Sequence, residues 1–160
     1  MKNIITSTLL IASLSVSAFA YDTNKAKTLE NFYAGFSQKA CANSKLFVEA
    51  EEVMKMLRED KQFTLLDIRT KGEHAVISVG LKNSIYVPIK DLFKKENLDK
   101  LPTDQTIVIV CHSGTRATLA AVGLKQIGIK NTRVLKGGLI SLADANNPKN
   151  APLRLGMKIQ

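Results

Sequence analysis

Apolar positions along this chain follow two rhythms, and the change between them falls near residue 45. Leu29, Phe32, Tyr33 and Phe36 recur at i, i+3, i+4 and i+7, which predicts an amphipathic helix over 24–40. Residues 21–45 therefore read as a helical N-terminal extension whose apolar stripe needs a surface to bury it. From Leu46 on, short apolar runs alternate with helical stretches. Leu46-Phe47-Val48 predicts a strand and Glu51–Glu59 a helix. Strands are also expected at Phe63–Ile68, at Ile85–Val87 (stopped by Pro88) and at Arg133–Leu135, with a helical piece starting near Asp91. Thr106-Ile107-Val108-Ile109-Val110 is apolar almost throughout and β-branched, as befits a central strand covered on both faces. A helix is expected from about Thr115 to Ile127, closed by Gly128, and a short one at Leu139–Ala145 after Gly137-Gly138. Alternation of this kind predicts an α/β fold, a doubly wound parallel sheet with helices on both faces, over residues 46–150. Residues 151–160 are left as a C-terminal tail.

The first twenty residues break both rhythms. One positive charge at Lys2 precedes the apolar stretch Leu9–Leu14, and Ala18-Phe19-Ala20 ends it with small residues at its first and third places. That pattern predicts an export signal over residues 1–20, cut after Ala20, and hence a periplasmic or secreted protein. Thr6, Ser7, Thr8, Ser13, Ser15 and Ser17 make the stretch a poor membrane anchor, so no stable membrane insertion is expected once it is removed.

A hydrophobic share of 45% with 23% charged residues is that of a globular protein. The net charge of +9, or +8 without Lys2, raises the question of nucleic acid. The lysines are scattered rather than blocked and are not interleaved with aromatics, so no nucleic-acid partner is expected. A mild general attraction for anions is. Two cysteines, Cys41 and Cys111, are too few for a disulfide scaffold, and no Cys-x-x-Cys occurs. His74 and His112 are the only histidines and lie far apart, so no metal site or other cofactor is expected.

The chemistry concentrates where the central strand ends. Ligands of open α/β sheets sit outside the carboxyl ends of the strands, and there the sequence reads Cys111-His112-Ser113-Gly114-Thr115-Arg116. Gly114 permits the sharp bend into the following helix. The bend and the helix start together offer free N–H groups and a positive dipole end, a cradle for an anion. A thiol at its centre ionises more readily. A cysteine at a strand end is ordinarily a small buried hydrophobe, but a polar, Gly-bearing, Arg-terminated loop is poor core material. Cys111 is thus the candidate nucleophile. Arg116 is the expected fork for an oxyanion, with His112, Ser113, Gly114 and Thr115 completing the substrate-binding loop.

The run Cys111-x-x-Gly114-x-Arg116, followed by Ala120-Ala121 and Leu124-x-x-x-Gly128, resembles the active-site loop of rhodanese-type sulfurtransferases. Leu65-Leu66-Asp67-Ile68-Arg69 with Glu73 is similar to that family's first signature, and Asn131-x-x-Val134-Leu135-x-Gly137-Gly138 to its closing strand. The resemblance implies a rhodanese-like fold and a persulfide mechanism. Cys111 would take the outer sulfur of a small sulfur-containing anion such as thiosulfate and pass it to cyanide or to a thiol, on a small molecule or a protein. It also implies that Asp67 and Arg69 support the site loop. The chain departs from the family at Val76–Ser84, which is longer and lacks the usual Gly-His-Ile-x-Gly-Ala, and at Leu142, where an aromatic is expected.

Three rivals remain at this stage. A related phosphatase or arsenate reductase places its arginine one position further on, whereas four residues separate Cys111 from Arg116 here. A non-catalytic binding module would ordinarily lack the cysteine. A thiol-disulfide or persulfide-carrier role would draw in Cys41 as the thiol that resolves Cys111; the alternative is that Cys41 is a lone, partly buried thiol that only packs.

Overall fold

The computed structural model describes residues 21–147, so the predicted signal segment and the C-terminal tail lie outside the described residues. The chain divides after Gly35 into two compact units. The first holds α1 (Thr23–Tyr33), whose N-cap Asp22 accepts the Lys25 N–H at 3.0 Å and none of whose residues is buried. The expected helix over 24–40 is therefore interrupted. Gly35 disfavours continuation, and the Ser37 hydroxyl accepts the Ala40 N–H at 3.1 Å, which starts α2 (Gln38–Ala42) afresh. Cys41 lies on α2 as an exposed free thiol. It is not the packing cysteine that the sequence left open, because α2 buries none of its residues.

The second unit is built on five parallel strands in the order β1-β5-β4-β2-β3. They are β1 (Phe47–Val48), β2 (Phe63–Asp67), β3 (Ser84–Tyr86), β4 (Thr106–Val110) and β5 (Thr132–Leu135). β4 lies in the middle, in register with β2 from Phe63↔Thr106 to Asp67↔Val110 and with β5 from Ile107↔Thr132 to Ile109↔Val134. This is the expected rhodanese-like α/β sheet, and the alternating side-chain direction of a strand explains its two cores. Ile107 and Ile109 of β4, with Leu66 of β2, pack on α6 (Thr115–Gln126) through Ala117, Ala120, Ala121 and Leu124. Val108 and Val110, with Phe63 and Leu65, face the other way onto Val53 of α3 (Ala50–Arg58) and Leu142 and Ala145 of α7 (Gly138–Ala145). The alanines of α6 let that helix approach the sheet closely. Each large buried side chain contributes roughly 1.5–3 kcal/mol, and burial on both faces fixes where β4 ends.

Two connections differ from expectation. The helical piece near Asp91 is a 3-10 turn at Ile89–Asp91 followed by α5 (Lys95–Leu98). A further short helix, α4 (Lys71–Val76), follows β2 where no element was anticipated, and it buries no residue. It rests on its cap. The Thr70 hydroxyl accepts the Glu73 N–H at 3.3 Å, while the Glu73 carboxylate accepts the Thr70 N–H at 3.0 Å.

Candidate active site

Cys111 follows β4 directly and is only 1% exposed. The chain then turns into α6 through Gly114, whose φ of +105° lies in the left-handed region. A Cβ at Gly114 would meet nothing nearer than 3.6 Å, so its backbone angle and not its space demands glycine. The turn brings the Gly114 N–H to 3.1 Å from the Cys111 sulfur, to which it donates. His112, Ser113 and Thr115 are exposed at the mouth of the loop, and Arg116 is half-buried on the first turn of α6.

The loop is clamped from outside by α7. The Leu139 N–H donates to the Cys111 carbonyl at 2.8 Å and the Ile140 N–H to the His112 carbonyl at 3.3 Å. Free N–H groups at the start of one helix thus satisfy the carbonyls of the loop that begins another. This contact requires Gly138, with φ of +62°. A Cβ there would lie 2.6 Å from the Cys111 oxygen and 2.5 Å from the His112 oxygen. The Gly137-Gly138 pair, legible in the sequence as a turn, is therefore a part of the site.

Opposite the loop stands a charged cluster carried by β2 and α4. Asp67 and Arg69, 1% and 2% exposed, form a buried ion pair, with Arg69 Nη2 donating to Asp67 Oδ2 at 2.7 Å and Nε to Oδ1 at 2.9 Å. His74 Nδ1 lies 3.1 Å from the same Oδ2, and its ring stacks on Tyr86 with centroids 3.9 Å apart. Burial pushes the Asp67 carboxyl up, but the bonds from Arg69 and His74 outweigh it and hold the group below the ordinary aspartate value. Arg69 also donates to the Ile77 carbonyl at 2.6 Å and the Glu73 carbonyl at 3.5 Å. The pair thereby anchors α4 and the chain just after it.

Glu73 completes the arrangement. Its carboxylate accepts Arg116 Nη2 on Oε1 at 2.6 Å and Nη1 on Oε2 at 2.8 Å, and Oε2 also accepts the Thr70 hydroxyl at 2.7 Å. The Arg116 guanidinium, then the Thr70 N–H and hydroxyl, hold Glu73 far below the ordinary glutamate range. Reciprocally, the Glu73 bond raises Arg116 against a partial burial penalty, and the Cys111 sulfur adds to that rise. The sequence pointed to Arg116 as a fork for an incoming anion; in the structure that fork is engaged by a carboxylate 43 positions away. Glu73 was legible as a member of the first signature, and Thr70-x-x-Glu73, a capping-box spacing, signals how it is held in place, but neither points to Arg116 as its partner. Cys111, Gly114 and Arg116 are thus brought together, while Asp67 and Arg69 bond to α4 and reach Arg116 through Glu73.

A family model described as the rhodanese-like domain matches residues 49–144. A sulfurtransferase of Allochromatium vinosum is 31% identical over 108 residues, covering 66% of this chain and 94% of that protein. An adenylyltransferase and sulfurtransferase of Ogataea parapolymorpha is 34% identical over 89 residues, covering 56% of this chain and 22% of that protein. The chain accordingly spans a quarter or less of the two-activity relatives it matches. Among solved structures, a rhodanese-related protein from Thermoplasma volcanium superposes with a TM-score of 0.54 at 27% identity, covering 64% of this chain and 94% of that one.

Proposed function

The chain belongs to the rhodanese-like domain family, and from that premise we propose that it transfers sulfane sulfur through a persulfide on Cys111. The observation that carries this reading is the Gly114 N–H aimed at the Cys111 sulfur at 3.1 Å, inside a loop whose carbonyls are tied to α7. A backbone donor at that distance supports the thiolate and then the persulfide that replaces it. In the first half-reaction the Cys111 thiolate attacks the outer sulfur of a donor such as thiosulfate. A new S–S bond forms, the donor's S–S bond breaks, and sulfite leaves with the electron pair. In the second, a thiolate or cyanide attacks the outer sulfur of the persulfide and regenerates Cys111. This is covalent catalysis in two steps with no net change in oxidation state of the enzyme.

Arg116, with the exposed loop residues His112, Ser113 and Thr115, is the proposed contact for the donor's anionic end. Asp67 and Arg69 are proposed to act at one remove, by holding α4. Export through the signal-like residues 1–20 would place this activity in the periplasm or outside the cell, with a small thiol or a protein thiol as acceptor. The family resemblance to sulfurtransferases supports sulfur transfer over phosphate or arsenate chemistry, as does the four-residue spacing of Cys111 and Arg116. Purified protein incubated with thiosulfate should gain the mass of one sulfur atom, and cyanide should remove it as thiocyanate. A protein that gains no sulfur from any sulfane donor would overturn the proposal.

A further inference from the structure

We infer that Glu73 sets the charge of the sulfur donor: by neutralising Arg116 it adapts the site to donors bearing one negative charge rather than to dianions. The inference rests on the persulfide reading above and asks which donor class serves it. Arg116 gives two of its N–H groups to Glu73, at 2.6 and 2.8 Å, in a bidentate pair. The pair is not an incidental surface contact. Glu73 is also held by the Thr70 N–H and hydroxyl at the start of α4, so its carboxylate is oriented by more than Arg116. Both side chains are about one-third exposed, and Arg116 also interacts with the Cys111 sulfur, so the paired guanidinium borders the reacting atom.

Such a guanidinium can still donate hydrogen bonds, but it no longer offers an uncompensated positive charge. Arg69, the other guanidinium bonded to α4, is cancelled in the same way by Asp67. An incoming dianion such as thiosulfate therefore meets backbone N–H donors and a neutral ion pair. A persulfide anion or an organic thiosulfonate brings a single charge, which the loop donors suffice to hold. In each case the chemistry balances. The Cys111 thiolate attacks the outer sulfur, the donor's S–S bond breaks, and the leaving group (a thiolate or a sulfinate) takes the electron pair and the donor's charge.

The charge can be varied at nearly constant shape by comparing thiosulfate with the methanethiosulfonate anion, in which a methyl group replaces one charged oxygen. The quantity read is the ratio of kcat/KM for the two donors, thiosulfate over methanethiosulfonate, in the full-length protein. Glu73→Gln removes the charge at constant shape. Its one amide oxygen can still accept from Thr70 and Arg116 Nη1, while the oxygen facing Nη2 becomes an amide NH2 and that bond is lost, for both sulfur donors alike. It should raise the ratio by roughly fivefold, the effect of one partly screened charge several ångströms away. Arg116→Gln leaves Glu73 uncompensated and should lower the same ratio below that of the unaltered protein. If circular dichroism shows that Glu73→Gln has not folded, the Arg116→Gln arm decides alone. A ratio unchanged in the folded variants, with both donors still loading sulfur on Cys111, would overturn the inference and leave the persulfide reading intact. Failure of both donors to load Cys111 in the unaltered protein would overturn that reading, and the inference with it.

Discussion

Gly138 packs its α-carbon against the main-chain oxygen of Cys111, so closely that a methyl group there would lie 2.6 Å from that oxygen. The contact couples the start of α7 to the loop after β4, and it predicts the behaviour of Gly138→Ala. A non-glycine residue at φ of +62° costs about 1–2 kcal/mol, and the clash with backbone atoms adds about 1–3 kcal/mol. The loop must move to relieve it, which breaks the Leu139 bond to Cys111. Urea denaturation should show a loss of about 2–5 kcal/mol, and sulfur transfer should fall with it. Unchanged stability and turnover in Gly138→Ala would mean that the clamp is unimportant.

Arg69→Ala should be more damaging to stability than its distance from Cys111 suggests. It leaves the Asp67 carboxylate buried at 1% exposure with its charged partner gone and only the backbone N–H of residue 69 and the His74 ring beside it. Breaking one side of a buried pair costs about 3–5 kcal/mol, measurable as a lowered urea midpoint. A loss under about 1 kcal/mol, the range of exposed pairs, would show that Asp67 is reached by water or neutralised in the variant.

Stability should decline in acid for a definable reason. Asp67 and Glu73 are both held below their ordinary carboxylate values in the folded protein. Each therefore contributes stability that is present above its unfolded value, near pH 4, and lost as pH falls through the lower folded value. Unfolding free energy should be nearly flat from pH 7 to about 5 with respect to these two groups and drop below about pH 4. In Glu73→Gln the acid drop should be shallower. An identical acid limb in that variant would count against the Glu73–Arg116 pair in solution.

Arg116→Lys tests the fork itself. Lysine keeps the charge and loses the planar bidentate geometry that matches both Glu73 and an oxyanion. Donor use should fall about tenfold or more, the order of one lost charge-assisted hydrogen bond. Arg58→Lys, on the exposed end of α3, should leave it unchanged. Equal effects of the two substitutions would remove any special role for Arg116.

The sheet was legible because its strands carry their burial in their composition. β2 is buried at every position and β4 at all but its first; β4 reads as an unbroken apolar run after Thr106, and β2 as Phe63, Leu65 and Leu66 with Thr64 and Asp67 as its polar members. The loop from Cys111 to Arg116 was legible for the opposite reason, as a polar interruption where packing offers no role for one. α4 was not legible, since Lys71-Gly72-Glu73-His74 has no apolar stripe and the helix depends on a cap rather than on a core. The interruption of the helix over 24–40 was missed because the i, i+3, i+4 pattern continues to Phe36 across Gly35, while the Ser37 cap acts locally against it. The roles of Glu73 and Gly138 in the site were hidden for a common reason. Each acts on a residue distant in sequence, one through an ion pair and the other through the absence of a side chain.

The central claim is that transferable sulfur resides on Cys111, and intact-mass measurement with peptide mapping tests it most directly. After incubation with thiosulfate or with the methanethiosulfonate anion, the protein should gain one sulfur atom that maps to the peptide containing Cys111. Cyanide should discharge it, and Cys111→Ala should gain none while keeping its circular dichroism spectrum. Sulfur found on Cys41 instead, or turnover retained in Cys111→Ala, would contradict the account.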